Sequence, residues 1–335
     1  MKRKQIFFTE VGKAELLEVN LPEIKEDEAL VKMEHTVVSG GTEYACLMGL
    51  KNTSGRFPTS LGYCGIGIAK EVGSAIKDIK PGDRVLVSGG VHSDYNIRTE
   101  ERLTKVEDDS ISSLEAAFVI IAAMGLGGVR KLEIEIGESA MIMGQGLLGL
   151  FATQFCRLSG ANPVIAVDLN EERRNLALKL GADYAFDPTD KDFVEKVKAV
   201  TKGKGVNACV EVTGISSALN QSLECASWMG RISLLGCTRV SDSAIDYYQQ
   251  VHKPGVKLIG AHNFVRPQFE SYPHHWTRKD DYNAILDMIS TKRLEVMPII
   301  SRVCKPEEAS QVYKELAENN ATFPIGTVFD WKDMQ

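Results

Sequence analysis

The sequence predicts an α/β fold in two differently built parts, and three observations predict it. Residues 1–115 carry short alternating apolar runs cut by Gly and Pro, and residues 118–265 switch to short strands alternating with helical patterns. One of those strands, "SAMIMG" (139–144), runs into a glycine-rich turn that opens a helix. The first pattern reads as a sheet or barrel with tight turns. The second implies a doubly wound parallel sheet with helices on both faces. A chain of 335 residues has room for about two domains. The division expected is one domain of residues 1–117 rejoined by 266–335, and a second of residues 118–265.

Taken in order, the N-terminal "MKRKQIFFTEVGKAELLE" has a basic start but reaches Glu10 before any apolar stretch develops. It therefore reads as a first strand of a cytosolic protein rather than a signal peptide. "EALVKMEHTVV" (28–38), "IGIAKEVG" (66–73) and "DRVLVSG" (83–89) alternate as strands, with "IKPGDRV" (79–85) a Pro-Gly turn entering the last. "RFPTSLGYCGIGIAKEVG" (56–73) holds four glycines, so its backbone turns tightly or lies against something. It reads as the rim of a metal site, a phosphate cradle or a sheet corner. "AAFVIIAAMGLGGV" (116–129) is too short to span a bilayer and reads as a buried helix. "VIAVD" (164–168), "NACVEVTG" (207–214), "RISLLG" (231–236) and "VKLIGA" (256–261) continue the strands. Between them, "NEERRNLALKLGAD" (170–183) is a helix capped by Asn170 and stopped at Gly181. "RPQFESYPHHWTRKDD" then opens the last stretch as a long functional loop, before a helix over 280–291 and further strands.

A formal net charge of −6 leaves no basic stripe, which argues against nucleic acid as a partner. The 7 cysteines include no C-x-x-C pair, which argues against a disulfide framework and a zinc knuckle. Cys156, Cys209 and Cys225 sit in apolar periodic stretches as small buried hydrophobes.

Gly144-Gln145-Gly146-Leu147-Leu148-Gly149 is a G-x-G-x-x-G run between a strand and a helix, the context a Rossmann dinucleotide site requires. The helix N-terminus would supply N–H groups to a pyrophosphate. Asp168 ends the next strand, 19 residues after Gly149, where a carboxylate accepts ribose hydroxyls and repels a 2′-phosphate. The expected cofactor is NAD. Thr213-Gly214 and Gly236-Cys237 end later strands and either line the nicotinamide and its ribose or serve as turns.

With its β-rich start, dinucleotide-binding middle and C-terminal return, the whole chain resembles the medium-chain dehydrogenase/reductase superfamily. Its "IKPGDRV", G-x-G-x-x-G, "NEERRNLALKLGAD" and "VEVTG" stretches carry the resemblance. The resemblance implies a GroES-like catalytic domain beside the Rossmann domain, and a homo-oligomer. Zinc-dependent members carry a Cys before Gly-Thr-Asp, then Gly-His-Glu, then a later Glu or Cys. The matching stretches here are Gly40-Gly41-Thr42-Glu43, Gly62-Tyr63-Cys64 and a position near Ile120. Gly, Tyr and Ile cannot form a three-ligand zinc set, so no metal is expected. A set rebuilt from Cys46, Cys64 and His92 is the alternative. The four-cysteine lobe is missing too, because "GDRVLVSGG" runs straight into "VHSDYNI". "GGTEY…FPTSLGY" and "GAHN…YPHHWT" are closer to a zinc-lacking branch, the bacteriochlorophyllide hydroxyethyl dehydrogenases and bi-domain sugar-linked oxidoreductases.

Without zinc, side chains must take the alcohol proton and stabilise the oxyanion. Thr42 matches the hydroxyl relay. Tyr63, at the former His ligand, either donates to the substrate oxygen or acts as base if a cation lowers its pKa. His92 follows a turn expected to border the catalytic cleft, and His262 follows the strand on the nicotinamide side. His274, His275, Tyr272 and Trp276 lie in the long loop and either meet a sugar-like ring or pack at an interface. The expected activity is a zinc-independent, NAD-dependent oxidation of a secondary alcohol, a polyol or sugar derivative, to its ketone. The alternatives are an enoyl- or quinone-type reductase and a non-catalytic NAD-binding sensor.

Overall fold

A computed structural model describes residues 1–334. In chain order the first elements are β1 (Lys2–Glu10), β2 (Lys13–Asn20), β3 (Glu28–Val37), α1 (Gly40–Leu47), β4 (Cys64–Val72), β5 (Arg84–Ser88), β6 (Tyr95–Thr99), β7 (Leu103–Lys105), α2 (Ser113–Ala116) and α3 (Val119–Arg130). The middle holds β8 (Ala140–Met143), α4 (Leu147–Leu158), β9 (Val164–Val167), α5 (Glu171–Lys179), β10 (Tyr184–Phe186), α6 (Phe193–Val200), β11 (Val206–Glu211), α7 (Ser216–Cys225), β12 (Ala226–Leu234) and β13 (Lys257–Gly260). Then come α8 (Arg278–Ser290), β14 (Arg302–Cys304), α9 (Ala309–Glu318) and β15 (Thr327–Asp330).

The chain divides into two compact units, Met1–Ile121 with Tyr282–Gln335, and Ala122–Asp281. The sequence placed the return of the chain at residue 266. In the structure residues 266–281 group with the second unit because Arg266 and Arg130 both bind Asp281 within it.

In the first unit a sheet runs in the order β14-β15-β3-β4-β5-β7, with β6 also on β3 and β1-β2 as a separate hairpin. Strand β15, from the end of the chain, thus sits between β14 and β3. Its core packs Phe8, Phe329, Tyr313 and Trp331 with Val31, Met33 and Leu47. Between β5 and β6 the chain closes a short turn: Val91 N–H donates to Asn96 Oδ1 at 3.0 Å and Asn96 Nδ2 returns a bond to the Val91 carbonyl at 3.0 Å. Where the four-cysteine lobe is missing, one asparagine clamps the turn.

The second unit is a six-stranded sheet in the order β10-β9-β8-β11-β12-β13, and every pairing in it is parallel. Strands β8 and β9 are buried along their whole length, as a sheet covered on both faces requires. The order reverses between β8 and β11, and the loop leaving β8 at that switch point is where such sheets bind ligands. Among the described residues no helix is long and apolar enough to cross a membrane.

Candidate functional site

In the second unit, Gly144 turns the chain out of β8 with φ +100°. Gly149 permits the tight strand–helix contact, since a Cβ there would come 1.9 Å from the Gly144 carbonyl oxygen. Gly146 is the N-cap of α4, has no side-chain cap and faces open space. The first N–H groups of Leu147, Leu148 and Gly149 therefore lack side-chain partners from the cap, as an anion seat requires. Gln145 departs from its expected role. Its side chain is turned inward, where Nε2 donates to the Ile142 carbonyl at 3.0 Å and Oε1 accepts from Thr153 at 2.9 Å. Its contribution is its backbone N–H, which donates to Asp168 Oδ2 at 2.6 Å. Asp168 Oδ1 accepts from the Asn170 N–H at 2.8 Å. The carboxylate is thus fixed beside the glycine turn with lone pairs to spare.

Thr213-Gly214 and Gly236-Cys237 are brought together at the ends of β11 and β12. A Cβ on Gly236 would meet the Gly214 nitrogen at 2.3 Å, so these residues pack turn against turn. Glu211, missed from the sequence, holds this corner. One of its oxygens accepts from Thr213 N–H at 2.7 Å and Gly214 N–H at 3.1 Å, and burial pushes its carboxyl up.

In the first unit, Ser39 N–H donates to Glu43 Oε1 at 2.9 Å, tying down the start of α1. Tyr63 Oη donates to Ser39 Oγ at 2.5 Å. Burial and the neighbouring Cys64 and Glu43 raise the Tyr63 phenol well above its ordinary range, while hydrogen bonding to Ser39 and Thr42 pulls against them. With no cation among those causes, Tyr63 is a protonated donor and not a base. Thr42 is half-buried on α1 beside it.

The structure places His92 in the interior, only 1% exposed, rather than on an open rim. Its Nδ1 lies 2.7 Å from Thr36 Oγ1, and its Nε2 lies 3.2 Å from both oxygens of Glu43, itself 0% exposed. Tyr313 Oη donates to Glu43 Oε2 at 2.6 Å, and Trp331 Nε1 donates to Thr36 Oγ1 at 2.8 Å. Every group is satisfied when Nε2 carries the ring proton to Glu43 and the Thr36 hydroxyl donates to Nδ1. His92 is a structural link between α1 and β3, so its expected catalytic role is replaced by a positioning one. Gly62 makes this possible, because any Cβ there would lie 2.2 Å from the His92 backbone nitrogen.

The sequence profile described as zinc-binding dehydrogenase matches residues 148–260. L-threonine 3-dehydrogenase of Pyrococcus furiosus is 30% identical over 260 residues, covering 67% of this chain and 72% of that one. The chain belongs to the zinc-type alcohol dehydrogenase-like family. Solved structures share its fold. A zinc-binding dehydrogenase of Sinorhizobium meliloti bound to NADP superposes with a TM-score of 0.83 at 23% identity, over 98% of this chain and 99% of that one. Galactitol-1-phosphate dehydrogenase of Escherichia coli gives 0.85 at 19% identity, with the same coverage.

This zinc-type dehydrogenase homologue carries no donor set that fits catalytic zinc. At the family's ligand positions stand Gly40, the hydrogen-bonded phenol of Tyr63 and Ile120, which is buried on α3. Catalytic zinc takes three N, S or O ligands. The rebuilt set is not free to bind either, because both ring nitrogens of His92 are engaged with Thr36 and Glu43. Among the described residues no group of three His, Cys, Asp or Glu side chains could hold a metal.

Proposed function

We propose that this family member oxidises a secondary alcohol of a polyol or sugar derivative with NAD, without metal. When bound, nicotinamide supplies the hydride acceptor. The observation that carries the reading is the Tyr63–Ser39 hydroxyl pair standing where metal-dependent relatives carry a ligand. The Tyr63 oxygen accepts the substrate O–H while its own proton is directed to Ser39, so a proton passes along hydroxyls and no phenolate forms. Thr42 holds the phenol in line, and Glu43 fixes Ser39 through its backbone. With NAD bound as hydride acceptor the alcohol would become a ketone. Its hydroxyl proton passes to Tyr63 as Tyr63 gives its own to Ser39, and Ser39 releases its hydroxyl proton to solvent water, the final acceptor.

Two features support NAD over NADP. Asp168 presents negative charge at the ribose edge. Arg174 is occupied, since its Nη1 donates to the carbonyls of Asp168 and Leu169 at 2.7 and 2.9 Å and to Asp187 at 3.0 Å. That arginine is withheld from a 2′-phosphate.

The test is absorbance of reduced cofactor with a polyol panel, run with NAD and with NADP, before and after exhaustive chelation. Turnover with NAD that survives chelation is expected. Activity lost on chelation and restored by zinc overturns the metal-free reading, and preference for NADPH with an enone or quinone favours the reductase.

A further inference from the structure

We infer that a recess inside the second unit, where the end of α3 meets the polar loop after β13, seats the oxyanion head group of a substrate. The head group is a phosphate monoester or a carboxylate. Naming it part of a substrate rests on the dehydrogenase reading; the anion seat itself does not.

The argument starts from charge. Among the described residues Asp281, 1% exposed, is the sole carboxylate lining the recess, and both its oxygens are taken. Arg130 Nε donates to Oδ1 at 2.8 Å and Arg266 Nη1 to Oδ2 at 2.9 Å. Lys131 lines the same recess and, among the described residues, has no carboxylate within ion-pair distance. Burial and the nearby Arg266 lower its pKa, as expected of an ammonium facing like charge. Three cations thus meet one carboxylate, with His262 and His275 adding donors. The carbonyls ending α3 offset part of this excess. The remainder calls for an anion, because partly buried cations left unpaired are costly.

The guanidiniums are also held in place. Arg130 Cζ sits over the Trp276 ring, 3.9 Å from its centroid. Arg266 donates from Nη2 to the Ala123 carbonyl at 3.1 Å and presses on Gly127, where a Cβ would come 2.4 Å from that nitrogen. Fixed forks beside a mobile ammonium match an oxyanion in shape as well as charge. The recess encloses about 10 Å³, the room of one water-sized group. It therefore takes the tip of an anionic head and leaves the body of the ligand outside.

Calorimetry with inorganic phosphate, glycerate and glycerol tests this without turnover. Wild-type protein is expected to bind one or both anions and not glycerol. Phosphate alone points to a phosphate ester, glycerate alone to a carboxylate. Lys131→Met should weaken anion binding roughly tenfold, and Lys131→Arg should keep it, with thermal melts checking that both fold. Equal anion affinity in wild type and Lys131→Met overturns the inference, since an anion on the glycine turn of α4 would ignore Lys131. Absence of binding heat from both anions in folded wild type overturns it too. If no alcohol yields reduced cofactor while the Lys131-dependent binding persists, the dehydrogenase reading fails and the anion seat stands.

Discussion

Burial and the Glu43 carboxylate hold the Tyr63 phenol protonated, so its loss removes a relay member without removing a titrating base. Tyr63→Phe should lower kcat by roughly ten- to a hundredfold and leave the pH dependence of kcat/KM in place. Initial rates across a pH series check this, and a displaced basic limb would refute it. Thr42 and Tyr63 were singled out because they sit at fixed offsets from the family's ligand positions, and the structure sets the two side chains beside each other. His92 was misread, since its partners Thr36 and Glu43, and the Tyr313 that donates to Glu43, come from three separate elements and leave no local pattern. Gln145 shows the opposite limit. The motif gave its position, but only the packing of Thr153 against it reveals an inward side chain.

At the scale of an element, the glycine turn separates binding from stability. A methyl on Gly149 collides with the Gly144 carbonyl, so Gly149→Ala should cost roughly 2–3 kcal/mol, read by urea melts. A methyl on Gly146 meets open space. Gly146→Ala should therefore leave the melt unchanged and weaken dinucleotide binding roughly tenfold; calorimetry with NAD decides. Equal melts for the two variants would remove the distinction. Every strand of the second unit except β10 was legible from periodicity and caps, as was helix α5, and Asn170 does cap α5 through its side chain. Helix α1 was not. "GGTEYACL" opens with two glycines and has no side-chain N-cap. It is held instead by Glu43 reaching back to Ser39 and by burial of Ala45 and Leu47, which are tertiary effects.

Across the whole molecule, burial pushes the thiols of Cys64, Cys156, Cys209 and Cys225 up, Cys156 and Cys225 to about 12, and likewise the phenols of Tyr63 and Tyr313. Unfolded thiols lose protons near about 8.5 and phenols near about 10. The folded state keeps protons that the unfolded state releases, so this stability is full below about pH 8.5 and drains as pH rises toward the folded values. Urea midpoints should fall between about pH 8 and about pH 10.5, and Cys156→Ala should flatten the fall; a level series contradicts it. Two-part architecture was legible from the change in grammar near residue 118. The seam at the far end was not, because it depends on one buried aspartate, Asp281, shared by two arginines. The seating of β15 between β14 and β3 bears on synthesis. The contiguous stretch Ala122–Asp281 leaves a ribosome as one run, while the sheet begun by β3 waits for β15. Until Tyr313 and Trp331 emerge, Glu43 and Thr36 have yet to meet two of their donors, so the nascent first unit is the part that needs shelter from aggregation.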